Sequence, residues 1–286
     1  MEYLGLLLST FYDYSVDILP YYLLATLITS LIQTYAKLSW LKNFITKRKI
    51  APFLTASFGG FLPLCSCSMI PIAHLINSLS KSYSSVIAFL IVAPVVSPIT
   101  VILTYGFFGL KAAVLRTFGT LAFAIAVAYT VDALFKKGGS IPLLADFKRE
   151  NTERKTVILF KSLKYHILFT GRYILIGIVI ASLIKTFVPT KAVSYIAGSP
   201  LSYPLISLVS IPIYVCSGED VLIAKALTQV GFTYGNAFTF MLASSGICLP
   251  TIFAVKSFLP LRVVLVYTVS WFFLSTLLGF MLDVLF

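Results

Sequence analysis

The sequence predicts an all-α polytopic membrane protein of two homologous, inverted halves, with broken or re-entrant helices at the centre. The composition is the first observation: of 286 residues, 59% are hydrophobic and 11% are charged, and the mean hydropathy is +0.97. A soluble domain carries about 25% charged residues, so this composition indicates a protein embedded in lipid. The other two observations are a series of long apolar stretches and an internal repeat.

Apolar stretches of about 20 residues are long enough to cross a bilayer as helices. They lie near 15–36, 53–80, 83–108, 110–135, 165–187, 201–231, 234–257 and 261–286. They fall into two groups of four, so we divide the chain into a first membrane repeat (1–135), a basic connector (136–164) and a second membrane repeat (165–286). The start, Met1-Glu2-Tyr3, lacks the basic region of a cleaved signal. We therefore expect the first stretch to stay in the mature protein.

The net charge of +12 is concentrated in the loops between apolar stretches, which is typical of an integral membrane protein rather than a nucleic-acid binder. The loop after the first stretch holds Lys37, Lys42, Lys47, Arg48 and Lys49, and the connector is also basic. Both should be cytoplasmic. Three ordinary crossings between them would place them on opposite sides. We therefore expect 53–80 to be a re-entrant hairpin, with the N-terminus outside, in a multi-pass protein of the cell membrane.

The two halves repeat each other at a nearly constant offset. The matching positions are Cys65-Ser66 with Cys216-Ser217, Ile72-Ala73 with Ile223-Ala224, Tyr83 with Tyr234, and Phe89 with Phe240. Breaks in the apolar stretches also match, at 63–71 and 93–98 in the first half and at 212–220 and 244–250 in the second. Transporters often consist of inverted repeats whose broken helices meet near the bilayer midplane. The pattern therefore predicts a central site formed by the breaks.

The residues at these breaks are candidate ligands for a soft solute. Cys65 and Cys67 are one residue apart, so an ideal helix would point them about 200° from each other, whereas an unwound segment lets both sulfurs face one cavity. Thiolates favour soft acceptors. The alternative for any one cysteine is a small buried hydrophobe. The predicted solute-binding set is Cys65, Ser66, Cys67, Ser68, Pro94, Ser97, Pro98, Cys216, Ser217, Ser245 and Cys248. A metal ion would take Cys65, Cys67 and Cys216.

Glu219 and Asp220 are adjacent carboxylates deep within an apolar stretch. A charge at the bilayer centre costs about 2.5–3.5 kcal/mol on insertion scales, so we expect them to face a cavity and to couple transport to protons. The alternative is that they lie at a solvated hairpin tip or pair with Lys225. His74 follows Cys67 by two helical turns and could approach the same face, although packing is the more ordinary role for a histidine.

The run Pro63-Leu64-Cys65-Ser66-Cys67, followed by Ile70-Pro71-Ile72-Ala73, resembles the predicted permease family that includes the ArsP-type organoarsenical efflux permeases. The run Pro212-Ile213-Tyr214-Val215-Cys216 is also similar to that family. The resemblance implies a polytopic permease, and characterised members export trivalent organoarsenicals or thiophilic metal ions. The chain departs from the family pattern at Ser68, where glycine is usual, and at 244–247, where a Gly-Pro-Ala-Thr type of break is usual.

We therefore predict a permease that exports a thiophilic solute, and neither an enzyme nor a cofactor-binding protein. No phosphate-binding loop of the Gly-x-x-x-x-Gly-Lys-Ser/Thr type is present, so energy would come from a proton gradient or a separate partner. The expected partners are the lipid bilayer and a small solute, with the oligomeric state, a homo-oligomer included, left open. Alternatives are a membrane thiol oxidoreductase, for which Cys-x-x-Cys spacing is usual, a permease for a sulfur-containing molecule, and a scaffold or channel subunit.

Overall fold

The computed structural model describes the regions around both pairs of breaks. The described ranges are 50–62, 68–80, 82–135, 201–211, 218–229 and 231–285, with single positions at 64, 66, 213 and 215 and scattered residues within 9–27 and 159–179. The predicted stretches 15–36 and 165–187 and the connector 136–164 lie almost wholly outside these residues. So do Cys65, Cys67, Cys216 and Ser217.

The described part of the first half is helical and is interrupted where the prolines and small residues of the sequence predict breaks. Its helices are α1 (Ala51–Phe61), α2 (Met69–Leu79), α3 (Ser84–Val92), α4 (Pro98–Val114) and α5 (Thr120–Leu134), with a π-helical turn at Leu115–Gly119 between the last two. Pro98 opens α4, where its missing N–H costs nothing and its fixed φ suits a helix. The gap between α3 and α4 is therefore the break that the sequence predicts at 93–98.

The second half has the same order of elements. Its helices are α6 (Ser202–Ser210), α7 (Glu219–Gln229), α8 (Tyr234–Gly246), α9 (Leu249–Lys256) and α10 (Leu261–Leu285). Ile247 and Cys248 adopt extended backbone between α8 and α9, and Pro250 follows in the first turn of α9. The fourth predicted break is thus present, because a chain in extended conformation cannot continue the helical hydrogen bonds.

Three helical stretches in the described part are long and apolar enough to cross a membrane, namely Pro98–Leu134, Tyr234–Lys256 and Leu261–Leu285. A straight helix of the first length would measure about 55 Å, well above the hydrocarbon thickness of about 30 Å. The chain turns at Gly109, whose φ of 80° and ψ of 179° lie in a region that is open essentially to glycine alone. The boundary expected between 83–108 and 110–135 therefore falls at this glycine.

The packing of the first half has a counterpart in the second. Helix α3 packs against α1 and α5, and α8 packs against α6 and α10. Between the halves, α2 packs on α9 and α7 packs on α4. A continuous apolar core runs through both halves and includes Phe89, Phe238 and Trp271. The breaks of one half are thereby brought against those of the other.

Hydrogen bonds at the helix ends fix which ends lie together. The Thr55 hydroxyl donates to the Ser85 carbonyl at 2.8 Å, so α1 and α3 begin side by side. Near the end of α2, the Asn77 amide donates to the Phe258 carbonyl at 3.1 Å, in the turn that precedes α10. At the far end of α10, the Lys111 ammonium donates to the Leu285 carbonyl at 2.8 Å. Lys111 follows the Gly109 turn, so that turn lies at the opposite end of α10 from Phe258.

Candidate functional site

Ser66, Cys248 and Thr251 form a buried group, here called the thiol cluster, where the first break meets the fourth. The Ser66 hydroxyl oxygen lies 3.6 Å from the Cys248 sulfur. The Thr251 hydroxyl lies 3.0 Å from that sulfur and donates to the Ser66 carbonyl at 3.3 Å. Cys248 and Thr251 are fully buried and Ser66 is nearly so. Two breaks that are far apart in the sequence therefore share one polar cluster.

Cys248 occupies the N-cap of α9, as Ser97 occupies the N-cap of α4. At α4 the cap is complete, because the Ser97 hydroxyl accepts from the Thr100 backbone N–H while the Thr100 hydroxyl accepts from the Ser97 N–H. At α9 the Cys248 side chain makes no cap hydrogen bond. Its sulfur instead lies beside the hydroxyl groups of Ser66 and Thr251.

Five residues that surround the second and third breaks form a second buried group, here called the ion-pair cluster. Its members are Val95, Thr104, Arg116, Gly218 and Asp220. The Arg116 guanidinium donates to the Val95 carbonyl at 2.9 Å, to the Thr104 hydroxyl at 3.2 Å and to an Asp220 carboxylate oxygen at 2.7 Å. The other carboxylate oxygen accepts from the Gly218 N–H at 2.6 Å. Both charged side chains are fully buried.

The ion pair also supplies hydrogen bonds to unwound backbone. Within a membrane an unpaired backbone group costs several kcal/mol, so a break survives only where protein partners satisfy it. Arg116 satisfies the Val95 carbonyl in the first half, and Asp220 satisfies the Gly218 N–H in the second. The pair therefore ties the two breaks to each other across the halves.

Sequence reasoning identified Asp220 but missed its partner. Lys225, the partner considered from the sequence, has its ammonium 5.9 Å above the Tyr234 ring. Arg116 carried a usable signal, since a charge in the middle of an apolar stretch is functional by default and needs a partner. Glu219 is exposed at the start of α7, unlike its buried neighbour. The two adjacent carboxylates thus have different surroundings.

The other predicted site residues in the described part vary in their surroundings. Ser68 and Pro94 are buried at the first and second breaks, whereas Pro98 is exposed. Ser97 is bonded to Thr100, and the Ser245 hydroxyl donates to the Met241 carbonyl of its own helix at 2.8 Å. His74 is buried and packs edge-to-face on Phe258, with ring centroids 5.2 Å apart.

The described residues contain no group of three or more His, Cys, Asp or Glu side chains that could hold a metal ion. The predicted metal set of Cys65, Cys67 and Cys216 lies outside those residues. Ser66 separates Cys65 from Cys67 in the sequence, so the thiol cluster includes the residue between the two predicted ligands. The nearest described thiol to that position is Cys248, at the fourth break.

Comparison with known proteins gives the family. The family model ArsP_1, described as a predicted permease, matches residues 3–284. The chain belongs to this family of predicted permeases. With its apolar helices, membership makes it a multi-pass protein of the cell membrane and confirms the resemblance found in the sequence.

Two relatives align with this permease family member over about four fifths of its length. A Streptococcus mutans protein named "Putative two-component membrane permease complex subunit" is 28% identical over 80% of this chain and 78% of its own. The "UPF0718 protein YcgR" of Bacillus subtilis is 24% identical over 82% of each. The name of the first relative agrees with a transporter rather than an enzyme. No solved structure matches the chain.

Proposed function

We propose that this chain is a permease that exports a thiophilic small solute, a trivalent organoarsenical or a soft metal ion, through a central cavity at the thiol cluster. The observation that carries the proposal is the 3.6 Å contact between the Cys248 sulfur and Ser66, the residue between Cys65 and Cys67. In this proposal the solute binds Cys248 together with the two cysteines that flank Ser66 in the sequence. Thiolates in such a group favour soft acceptors.

The two halves are inverted repeats in this proposal. Reciprocal packing of α2 on α9 and of α7 on α4 supports the repeat. The Gly109 turn and the turn that contains Phe258 follow equivalent broken helices, yet they lie at opposite ends of α10. Opposite placement of equivalent turns is what inversion requires. Inverted repeats with broken helices at their interface are a common basis for alternating access.

The segment 53–80 is re-entrant in this proposal, entering and leaving at one face of the membrane. The side-by-side starts of α1 and α3 support this, since Thr55 bonds to Ser85. Helix α2 must end near the start of α3, because only a few residues connect them. The basic loop before α1 and the connector after α5 then lie on the same side, as the positive-inside rule asks.

Asp220 is the proposed proton carrier. A proton on this carboxylate would cancel its charge and weaken the bond to Arg116, which holds α4 and α7 together. Breaking that tie frees the two halves to rearrange around the site. Burial favours Asp220 over exposed Glu219 for this role, because the charge of Asp220 controls a bond between the two halves.

A resistance assay tests the solute-binding proposal. The chain is expressed in a sensitive host that is challenged separately with methylarsenite, Cu(I) and zinc. We expect wild type to protect against at least one, and Cys65→Ser, Cys67→Ser and Cys248→Ala each to lose most of that protection at equal membrane abundance. Ser57→Ala, a half-buried serine of α1, is the control and should protect fully. Full protection by the cysteine variants would overturn the thiol site.

A further inference from the structure

A groove of about 660 Å³ lies between α5 and α10, away from both polar clusters. On the α10 side it is lined by a row of residues that are four apart, each between 49% and 59% exposed: Leu265, Val269, Phe273 and Leu277. Residues at this spacing follow one face of a helix. The groove therefore opens along the outer face of α10, where the protein meets lipid.

The two hydroxyl groups among the described lining residues are already bonded within their own helices. The Thr130 hydroxyl donates to the Val127 carbonyl at 2.8 Å, and the Ser270 hydroxyl donates to the Tyr267 carbonyl at 2.7 Å. A polar solute in this groove would lose its hydration without regaining hydrogen bonds, which is unfavourable. The groove is therefore suited to hydrocarbon and does not belong to a path for a polar solute.

The length of the groove matches one leaflet of a bilayer. From Leu265 to Leu277 the helix rises by about 18 Å, at 1.5 Å per residue. Half of a hydrocarbon core of about 30 Å is about 15 Å. An extended acyl chain of one leaflet could therefore lie along the whole groove, with its head group at one end.

One end of the groove is positively charged. Arg262 is exposed and lies three residues before Leu265 and seven before Val269, spacings that keep it on the groove face. Within the described part of the chain the one ion pair is that of the ion-pair cluster, so no described carboxylate neutralises Arg262. Lys256, the last residue of α9, adds a second exposed charge at this end of α10.

The start of α10 adds to this positive potential. Arg262 lies in the first turn of the helix, where backbone N–H groups have no partner within the helix and the helix dipole favours an anion. Asp132, the acidic residue of α5, is two residues from Thr130 and so lies on the opposite side of its helix from the groove.

We propose that this groove binds an anionic phospholipid, with an acyl chain along α10 and the phosphate at Arg262. The apolar wall accounts for the chain and the charged end accounts for the head group. A helix of a second copy of the protein would match the wall but would leave Arg262 without an anion. The site is separate from the thiol cluster, so the inference holds whatever solute the permease carries.

Native mass spectrometry of the full chain, purified in detergent, tests the head-group site. The protein is titrated separately with phosphatidylglycerol, which is anionic, and phosphatidylcholine, which has no net charge. We expect wild type to bind the first phosphatidylglycerol more tightly than phosphatidylcholine. Arg262→Gln should lose about fivefold in phosphatidylglycerol affinity, the usual effect of one basic residue near an anionic membrane surface. Its phosphatidylcholine affinity should be unchanged.

Lys111→Gln is the matched control, because it removes the same charge from an exposed residue near the far end of α10. It should bind both lipids as wild type does. Equal affinity of wild type for the two lipids would overturn the proposal without any variant. An equal loss in Arg262→Gln and Lys111→Gln would also overturn it, because the attraction would then depend only on net charge.

Val269→Trp tests the groove itself, since the larger side chain occupies the space of the acyl chain. It should weaken the binding of both lipids, whereas Val114→Trp, at an exposed valine of α4 outside the groove, should not. Unchanged lipid binding by Val269→Trp would contradict the proposal. Loss of a wild-type dimer in Val269→Trp, with lipid binding retained, would instead assign the groove to a second copy of the chain.

Discussion

Arg116 and Asp220 carry opposite charges in the protein interior, with no exposed surface on either side chain. Burying such a pair is weak evidence for stability, because the loss of hydration offsets much of the attraction, while removing one partner typically costs 3–5 kcal/mol. The pair is therefore more important for the segments that it joins than for the free energy of unfolding. The pair joins the second break to the third and supplies hydrogen bonds to the backbone of both.

The proton-coupling proposal makes a prediction for Asp220→Asn. The amide keeps an oxygen for Arg116 but cannot take a proton at physiological pH. In proteoliposomes, one pH unit is worth 1.36 kcal/mol per proton, so wild type should accumulate solute about tenfold across such a gradient. Asp220→Asn should equilibrate the solute without accumulating it. The measurement is solute content at steady state with and without the gradient.

Glu219→Gln is the matched control for this experiment, since it neutralises the exposed neighbour. It should accumulate solute as wild type does. Gradient-driven accumulation by Asp220→Asn would remove Asp220 from the coupling step. Loss of coupling in Glu219→Gln alone would move the role to Glu219, the other carboxylate that the sequence singled out.

At the residue scale, the sequence predicted individual groups better than their partners. Asp220, Ser66 and Cys248 were marked by local signals: a charge in an apolar stretch, or a polar residue beside prolines. Arg116 was not identified, because its contact with Asp220 joins residues far apart in the sequence. A pattern along one segment does not say which distant segment meets it.

The helical elements follow from local sequence more closely. Breaks after α3 and α8 coincide with small residues and prolines, and each is followed by an N-cap residue, Ser97 or Cys248. The π-helical turn at Leu115–Gly119 had no such signal. It contains Arg116, and its extra residue per turn changes the direction of that side chain relative to a regular helix. Such bulges occur frequently at functional sites.

The turn inside α4 makes a prediction for Gly109→Ala. A φ of 80° with a ψ of 179° is strained by about 1–3 kcal/mol for residues other than glycine. No atom lies near the added methyl group, so backbone strain should be the whole effect. We expect a lower unfolding midpoint for the purified protein in detergent, measured by circular dichroism at 222 nm.

Gly106→Ala provides the comparison, because Gly106 lies in the same helix, has ordinary helical backbone and has equally open surroundings. Alanine is favoured over glycine in a helix by about 1 kcal/mol, so this variant should be as stable as wild type or more so. Equal effects of the two substitutions would mean that the chain does not reverse at Gly109.

For the whole molecule, composition and apolar stretches correctly predicted an all-helical membrane protein, and the sequence resemblance correctly predicted its family. Inversion of the halves, the re-entrant segment and the three-part division of the chain stay predictions. The contacts show how the breaks pair between the halves. The first break meets the fourth, and the second meets the third. The sequence could mark the breaks, but their pairing depends on packing between helices far apart in the chain.

Sidedness labelling tests this arrangement most directly. Starting from a variant with all four cysteines replaced, single cysteines are introduced at the exposed positions Ile50, Lys256 and Leu110, and intact cells are treated with a membrane-impermeant maleimide. We predict that Leu110→Cys reacts in intact cells, whereas Ile50→Cys and Lys256→Cys react only after permeabilisation. Labelling of Ile50→Cys and Lys256→Cys from opposite faces would mean that 53–80 crosses the membrane, and would contradict the re-entrant, inverted architecture.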